Sequence, residues 1–570
     1  MNKGYRSAST RFSFDFDRLT FSLIAALACG MLCLFVGFPL LIVLIKSFIA
    51  GDSSLSLMNY IEAFRGRRFF SVFTNSIVVS ITVTILSVTL GFLFAYTLTR
   101  LKVPLRNTLQ SIMNLPLVAP SLVLGLGVIL LLGRNGFMNR TFGIDLHIYG
   151  FWGIVVADTL YCLPQAVLVL TAALAQTDAR PYEAATVLGA SPLKVFVSVT
   201  LPSVRFGLAS AALLVFTITI TDFGNAMVLG GDYGVLATEI YKQVSGQMNF
   251  NLGAVIAIVL LIPAAMASGL GQLLSHGQRA TLTDQARQLE PRPLNVGGWG
   301  LFLLVTMLAV MMMATFGTVL MASIVKLWPY NFTLTFKHFS LDIPGGYSPL
   351  INSIKVAVAT SVFGTVLVMA SALSSQKWRH PLTRFIDLLA TLPAAIPGMV
   401  LGLAYVLAFN NPANPFTFLY GTLAIIIACN IFHYHTQGYL TAVTSLKQLS
   451  RTFDEASMTL GASFLQTLRW VLLPIIMPAL GSIAAFFFMR SMVTLSAVIF
   501  LITPSTMLAP VAVLQLEDAG YTSQAAALSM CIMAAVLISL AFSRTTLALA
   551  KRNSRNMGQT NGPEGSSARG

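Results

Sequence analysis

Ionisable side chains inside long apolar runs are the first candidates for chemistry in this sequence, because a charge withdrawn from water needs a partner or a passing solute to compensate it. Arg490 sits mid-run in Phe487-Phe488-Met489-Arg490, too deep to reach an interface by snorkelling. Asp222 lies in the matching run of the first half, and a repeat offset of 272 residues places its counterpart at Thr494, one helical turn from Arg490. Two readings stay open for Asp222 and Arg490. They line a central pathway, paired or meeting opposite ends of a zwitterionic solute, or they form a structural ion pair. Asp158 and Lys355 fall near the ends of their runs and are weaker candidates. His433 and His435 are two apart and so face different sides of a helix, which suits packing or pore lining better than a metal. Cys29 and Cys33 share a helix face with no third ligand close in sequence, which reads as small apolar packing. No nucleophile, base or metal set clusters anywhere, so neither catalysis nor a bound cofactor is expected of this chain.

These residues must be positioned by membrane helices. The chain has 570 residues, 56% hydrophobic and 10% charged, with a mean hydropathy of +0.79. Soluble domains carry about 25% charged residues. Twelve apolar runs reach the length of about 20 residues that crosses a bilayer. They lie near 20–49, 71–97, 110–133, 148–176, 206–230, 252–275, 299–327, 350–375, 385–409, 417–440, 476–503 and 522–549. The net charge of +15 does not signal nucleic acid, because most of the 35 lysines and arginines fall in the tails and on one set of alternating loops. That bias follows the positive-inside rule with both termini cytosolic, and leaves Arg65, Arg67 and Arg68 on the wrong side. The basic N-terminus leads into an apolar part too long for a cleaved signal and reads as a retained helix.

The chain repeats itself. Glu183, Gly189 and Pro202 recur 272 positions on as Glu455, Gly461 and Pro474. Upstream, Asn75-Ser76, Leu115-Pro116, Pro120 and Gly125 recur at an offset of 277 as Asn352-Ser353, Leu392-Pro393, Pro397 and Gly402. Each half thus has six spans. Six is even, so both halves enter the membrane in the same sense, related by an axis along its normal. The expected architecture is all-α and polytopic. A tail (1–19) precedes a first half (20–275) with a loop at 177–203; a linker (276–298) leads to a second half (299–549) with a loop at 441–474, and a disordered tail (550–570) follows.

Those two loops are far longer than a turn needs. Pro181 suits a first helical turn, Glu183 to Leu188 form helix readily, and Gly189 can take the left-handed conformation that ends it. Ser191-Pro192 then starts a second helix at once. In the second copy Thr452 and Glu455 have capping-box spacing, Gly461 ends the helix and Ser463 caps the next. Leu274-Ser275-His276-Gly277-Gln278-Arg279 looks like an ATPase signature loop, but the chain has no Gly-Lys dipeptide and hence no phosphate-binding P-loop.

Glu-Ala-Ala/Ser, three residues, Gly, then twelve residues to Pro resembles the signature of permease subunits of binding-protein-dependent ABC importers, here in both halves. The resemblance implies the type I importer permease fold in a bacterial inner membrane. It implies a homodimeric ATPase partner that carries the ATP and Mg, and a soluble substrate-binding protein. It makes Glu183, Ala184, Ala185 and Gly189, with Glu455, Ala456, Ser457 and Gly461, the ATPase-docking surface; Ser457 departs from the usual Ala. Thr221-Asp222-Phe223-Gly224 looks like the fused permeases for ferric iron and 2-aminoethylphosphonate. Gly230-Gly231-Asp232-Tyr233, Val235 to Tyr241 and Val493 to Ile499 look most like the aminoethylphosphonate members. That solute is therefore the expectation, with ferric iron as the alternative. A facilitator-type secondary transporter also has six plus six spans, but the loop Thr99-Arg100-Leu101-Lys102-Val103-Pro104 lacks its acidic signature. A channel or receptor scaffold gives no reason for two matched docking loops.

Overall fold

The computed structural model describes residues 22–49, 55–144, 146–279, 289–340, 345–377, 382–450, 452, 456, 457 and 459–560. Among them, ten helices are long and apolar enough to cross a membrane. In the first half they include α1 (Ser22–Phe48), followed by a short helix α2 (Met58–Arg65) and then α3 (Arg67–Arg100). At 1.5 Å per residue, α3 is about 50 Å long and overshoots a hydrocarbon core of about 30 Å.

The third span is broken in both halves. In the first it comprises α4 (Arg106–Met113), a 3-10 turn at Leu115–Val118, and α5 (Ser121–Leu132). Pro120 cannot donate to the turn before it, and it forces Ala119 into an extended conformation (φ −113°, ψ 147°). Next come α6 (Phe151–Ala175), α7 (Arg180–Val187), α8 (Pro192–Ile220), α9 (Gly224–Leu229), α10 (Leu236–Tyr241) and α11 (Phe250–Arg279).

The second half repeats this order. It runs α12 (Val296–Ile324), a hairpin β1 (Val325–Leu327) and β2 (Asn331–Leu334), then α13 (Ser348–Lys377). The broken third span is α14 (Leu382–Thr391) and α15 (Gly398–Phe409), whose axes meet at 115° across Pro393 to Pro397. Then follow α16 (Leu423–His433), α17 (His435–Lys447), α18 (Leu465–Val493), α19 (Ala509–Asp518) and α20 (Thr522–Thr560).

The twelve runs are therefore not twelve uninterrupted helices: the third of each half is broken, and the tenth becomes a short apolar helix, α16, that breaks at Tyr434 before α17. Apolar length alone does not register such breaks. The last helix also extends to Thr560, past the expected start of a disordered tail at 550; a helix once nucleated propagates cheaply. The linker's described part is stitched to the end of α3, with Lys102 N–H donating to Arg292 O at 2.8 Å and Arg292 N–H to Arg100 O at 2.9 Å.

The halves are interlocked. Each first span packs on the last span of its own half and on the third span of the other, α1 against α11 and α15, α12 against α20 and α5. Tyr405 donates to Phe35 O at 2.9 Å, and Phe35 stacks on Phe432 and Phe409 at centroid distances of 5.1 and 5.6 Å. On the opposite side Trp328 Nε1 donates to Leu130 O at 3.0 Å.

Two sequence puzzles resolve locally. Arg68 of the misplaced basic cluster pairs with the buried Glu239 at 3.1 Å. Lys355 lies in the second turn of α13, exposed at that helix's end, where it can snorkel.

Candidate functional site

The loop after α6 folds as expected. Gly189 has φ +72°, and the helix end closes with Ala190 N–H to Ala185 O and Gly189 N–H to Thr186 O, both 3.0 Å. This is the paired 6→1 and 5→2 bonding of a glycine-terminated helix. Ser191 Oγ accepts from Lys194 N–H at 3.4 Å and starts the next helix. In the second copy Gly461 has φ +70° and Ala462 N–H donates to Ser457 O at 3.0 Å. Ser463 and Gln466 cap each other reciprocally, Ser463 N–H to Gln466 Oε1 at 2.8 Å and Gln466 N–H to Ser463 Oγ at 3.3 Å. The cap expected at Ser463 is thus a full capping box, while nothing tests the box expected at Thr452 and Glu455. Glu455 lies outside the described residues.

Both helix pairs then run through a π-helical turn, Phe196–Thr200 and Leu468–Leu472, immediately before Pro202 and Pro474. Proline lacks the N–H that would continue the α ladder, and the wide turn absorbs the change in register.

At these knobs Glu183, Ala184 and Ala456 are exposed, while Ala185 is half-buried. Ser457 is turned inward, 8% exposed, so it shapes the knob rather than covering it. The exposed apolar surface belongs instead to Val187 and Leu188 (87% and 84%), Leu193 (73%) and, in the second copy, Leu460 (86%) and Trp470 (72%). Tyr182 anchors the first knob from below, buried under the Arg100 guanidinium at 5.3 Å, and Arg100 donates to Leu174 O at 3.0 Å.

The second site is a cavity of about 180 Å³ where the helix breaks of both halves converge. The first half contributes Ser121, Tyr161, Thr221 and Asp222; the second contributes Pro393 to Gly398, His433, Tyr434, Arg490, Thr494 and Ser496. Asp222, Arg490 and Thr494 are therefore brought together. Among the described residues, Asp222 and Arg490 form no ion pair. Asp222 instead fastens the start of α9, accepting from Asn225 N–H at 2.9 Å. The neighbouring Asp158, 1% exposed, accepts from the Asn225 side-chain amide at 2.7 Å, so both acids converge on Asn225. The Arg490 guanidinium carbon lies 4.9 Å over the Tyr434 ring, and Tyr161 of the other half lines the same cavity as Arg490. Tyr434 and Thr494 hydroxyls are 2.8 Å apart.

The acids of this site thus come from one half and the cation from the other. Tyr161 and Tyr434 were invisible to a reading that followed charges alone; their neighbourhood to the chain breaks was the available signal. His433 lines the cavity, whereas His435 is fully buried between Phe432 and Tyr439. The five cysteines are free, and no group of three or more His, Cys, Asp or Glu among the described residues could hold a metal.

Residues 87–280 and 361–555 each match the family described as the binding-protein-dependent transport system inner membrane component. The putative ferric transport system permease protein FbpB 1 of Haemophilus influenzae is 31% identical over 505 residues, covering 85% of this chain and 78% of that protein. The ferric transport system permease protein FbpB of Actinobacillus pleuropneumoniae is 30% identical over 529 residues, covering 89% and 76%. A putative 2-aminoethylphosphonate transport system permease protein PhnV of Salmonella paratyphi A is 28% identical over 225 residues, 39% of this chain and 83% of that protein. The preference drawn from the short phrases around Asp232 and Thr494 is thereby reversed, since relatives matched across both halves carry ferric transport in their names. With the motif in both halves and the family matched twice along one chain, this protein belongs to the binding-protein-dependent transport system inner membrane components, as a fused two-half permease of an ABC importer.

Proposed function

We propose that this permease conducts ferric iron, delivered by a soluble binding protein, through the seam at Asp222 and Arg490, driven by a homodimeric ATPase seated on the Gly189 and Gly461 knobs. The observation that carries the solute is the extent of the likeness: the ferric relatives are matched over 85% and 89% of this chain. The cavity offers oxygen donors that suit a hard cation, the Asp222 carboxylate with the phenols of Tyr161 and Tyr434 and several hydroxyls, set against the guanidinium of Arg490. The knobs then face the cytosol, with both termini on that side. The chain supplies no hydrolytic step. ATP closes the partner dimer, the knobs approach, each half moves as a body about the seam, and hydrolysis reverses the motion.

The test is reconstitution of the permease with its ATPase in vesicles, followed by ATP-dependent uptake of radioactive iron offered on the binding protein. Iron uptake that 2-aminoethylphosphonate does not compete supports the reading. Uptake of labelled 2-aminoethylphosphonate in place of iron overturns the solute and leaves the permease assignment intact.

A further inference from the structure

Where α2, the start of α3, α10 and the start of α11 meet, a cavity of about 200 Å³ belongs to neither site described above. It sits at the end of the bundle opposite the knobs, since Arg100, which touches the first knob through Tyr182, lies at the far end of α3. Its polar lining is Asn59 and Glu62 on α2, Arg68 on α3, Glu239 on α10, Gln243 in the turn that follows, and Asn249 just before α11.

Oxygen is in excess there. The Glu239 carboxylate is buried, with 4% of its side chain exposed, and its Oε2 meets one Arg68 nitrogen at 3.1 Å. Arg68 is itself 64% exposed, so solvent weakens that pair and it does not offset the cost of burying the carboxylate. Glu239 Oε1 accepts from Gln243 Nε2 at 2.7 Å, which fixes the orientation of the amide. Gln243 is 5% exposed, and its Oε1 is buried with no hydrogen-bond partner among the described residues. Asn59 uses its amide nitrogen on the carbonyls of Ser47 and Ile49 at 3.1 and 2.7 Å, leaving only its side-chain oxygen for a ligand. Glu62 is exposed and, among the described residues, in no ion pair.

The repeat shows that the fold itself does not ask for these groups. Leu236 N–H donates to Ser76 Oγ at 2.7 Å, and in the second half Ala509 N–H donates to Ser353 Oγ at 2.8 Å. That correspondence sets Glu239 against Ala512 and Gln243 against Leu516, both buried. The offset of 277 sets Glu62 against Phe339 and Arg68 against Gly345. One framework is thus completed by apolar side chains in the second half. In the first it carries a buried carboxylate and an amide oxygen that wants a partner.

We propose that this cavity binds a hard divalent cation, calcium by its donor set, between the Glu239 and Glu62 carboxylates and the amide oxygens of Gln243 and Asn59. Arg68 is the counter-ion that gives way to it. Calcium takes about six to eight oxygens, amide carbonyls and waters among them, in a tolerant geometry. The four side chains leave room for water, each molecule taking about 30 Å³. The bound ion ties α2 to α10 and to the turn after it, independently of which solute passes.

The experiment uses the whole permease–ATPase complex, without nucleotide, in nanodiscs of zwitterionic lipid, with calcium chloride as the probe. Binding of radioactive calcium should saturate, half-complete on the order of 10⁻⁴ to 10⁻³ M, and the melting temperature should rise over the same range. Glu239→Gln should weaken binding about tenfold or more, and so should Glu62→Gln, whose exposed position threatens folding least. Arg68→Gln should instead tighten binding, because the competing cation is gone. A purely structural ion pair predicts the opposite, a lower melting temperature in Arg68→Gln and no response to calcium. No saturable calcium in the parent, unchanged affinity in both carboxylate variants, or weaker binding in Arg68→Gln overturns the proposal. So does an equal rise in melting temperature with sodium chloride at matched ionic strength. Magnesium, which gives up its waters reluctantly, should bind more weakly; equal affinity overturns the assignment to calcium.

Discussion

Arg490 stands 4.9 Å over the ring of Tyr434 within its own half and shares a cavity with Tyr161 of the other. One side chain thus sits where the two halves meet, beside a cavity only about 180 Å³ in volume. A half-buried guanidinium stacked on a phenol and, among the described residues, in no ion pair is placed to report the separation of the halves.

Arg490→Leu removes the charge at the seam and its stack on Tyr434, and should abolish uptake while the permease still copurifies with its ATPase. Arg490→Lys keeps the charge but loses the flat stacking surface and the fork of donors. It should retain a fraction of uptake. Wild-type uptake in the leucine variant would remove Arg490 from the pathway.

Asp222 carries two roles that substitution can separate. Asn preserves an acceptor for the Asn225 N–H, whereas Ala leaves the start of α9 open at a cost of about 1 kcal/mol. If the charge serves the solute, Asp222→Asn should lose uptake with melting temperature unchanged. If only the cap matters, Asp222→Asn should transport normally and Asp222→Ala should melt lower.

The two bends make a third prediction. An added Cβ would meet nothing within 4 Å at Gly189 or Gly461, so the only penalty is the left-handed backbone. That penalty is about 1 kcal/mol for Ala. Gly189→Ala/Gly461→Ala should therefore leave the transmembrane bundle intact, weaken ATPase retention in pull-downs and slow uptake. Leu188→Asp/Leu460→Asp should do the same by removing exposed apolar surface. Undiminished retention in both double variants would move the ATPase to another part of the cytosolic face.

Glu517 lies outside the spans, where burial, then Asp518, push its carboxyl up to about 7 against a hydrogen bond from Thr522. Tyr149, Arg134, Lys326 and His338 face the same cavity. The raised value means that between about pH 4.5 and 7 the unfolded chain gives up this proton first. Stability from this group therefore falls as pH rises through that window, and the full cost stands above it. Glu517→Gln should stabilise the purified permease at alkaline pH, by at most about 3 kcal/mol, and change little at pH 4. A melting curve at each pH checks the sign; equal shifts at both would exclude the titration.

What the sequence displayed depended on whether a residue acts through the chain or through space. Gly189, Ser191, Gly461 and Ser463 act on their own backbones, and their roles were legible from order alone. The fixed offset between Leu115-Pro116 and Leu392-Pro393 likewise showed that the same device occurs twice. It did not show that the device is a break in the span, because apolar length is unaffected by a bend of 115°. Tyr434 meets Arg490 through the packing of its own half, Tyr161 joins them only once both halves are assembled, and neither carries a formal charge that would mark it. The inward turn of Ser457 and the exposure of Leu460 depend on how the knob lies against the bundle, which spacing does not encode.

The interlock between halves rests on contacts that admit no extra atom. A Cβ at Gly127 on α5 would stand 2.6 Å from both the Thr315 carbonyl oxygen and its methyl on α12. The backbone of one helix would have to retreat, because a carbonyl in a helix cannot rotate away. Gly127→Ala should therefore cost on the order of 1–3 kcal/mol and loosen the first span of the second half from its seat on the first. Gly317, two residues past Thr315 on α12, has nothing within 4 Å of an added Cβ. Gly317→Ala gains the helix propensity of alanine and should be neutral or stabilising by up to about 1 kcal/mol. Melting temperature and uptake of the two variants, measured side by side, test whether close approach or mere glycine content holds the halves together. A drop confined to Gly127→Ala is the expected result, and equal behaviour would remove the α5–α12 contact from the account of how the seam is held.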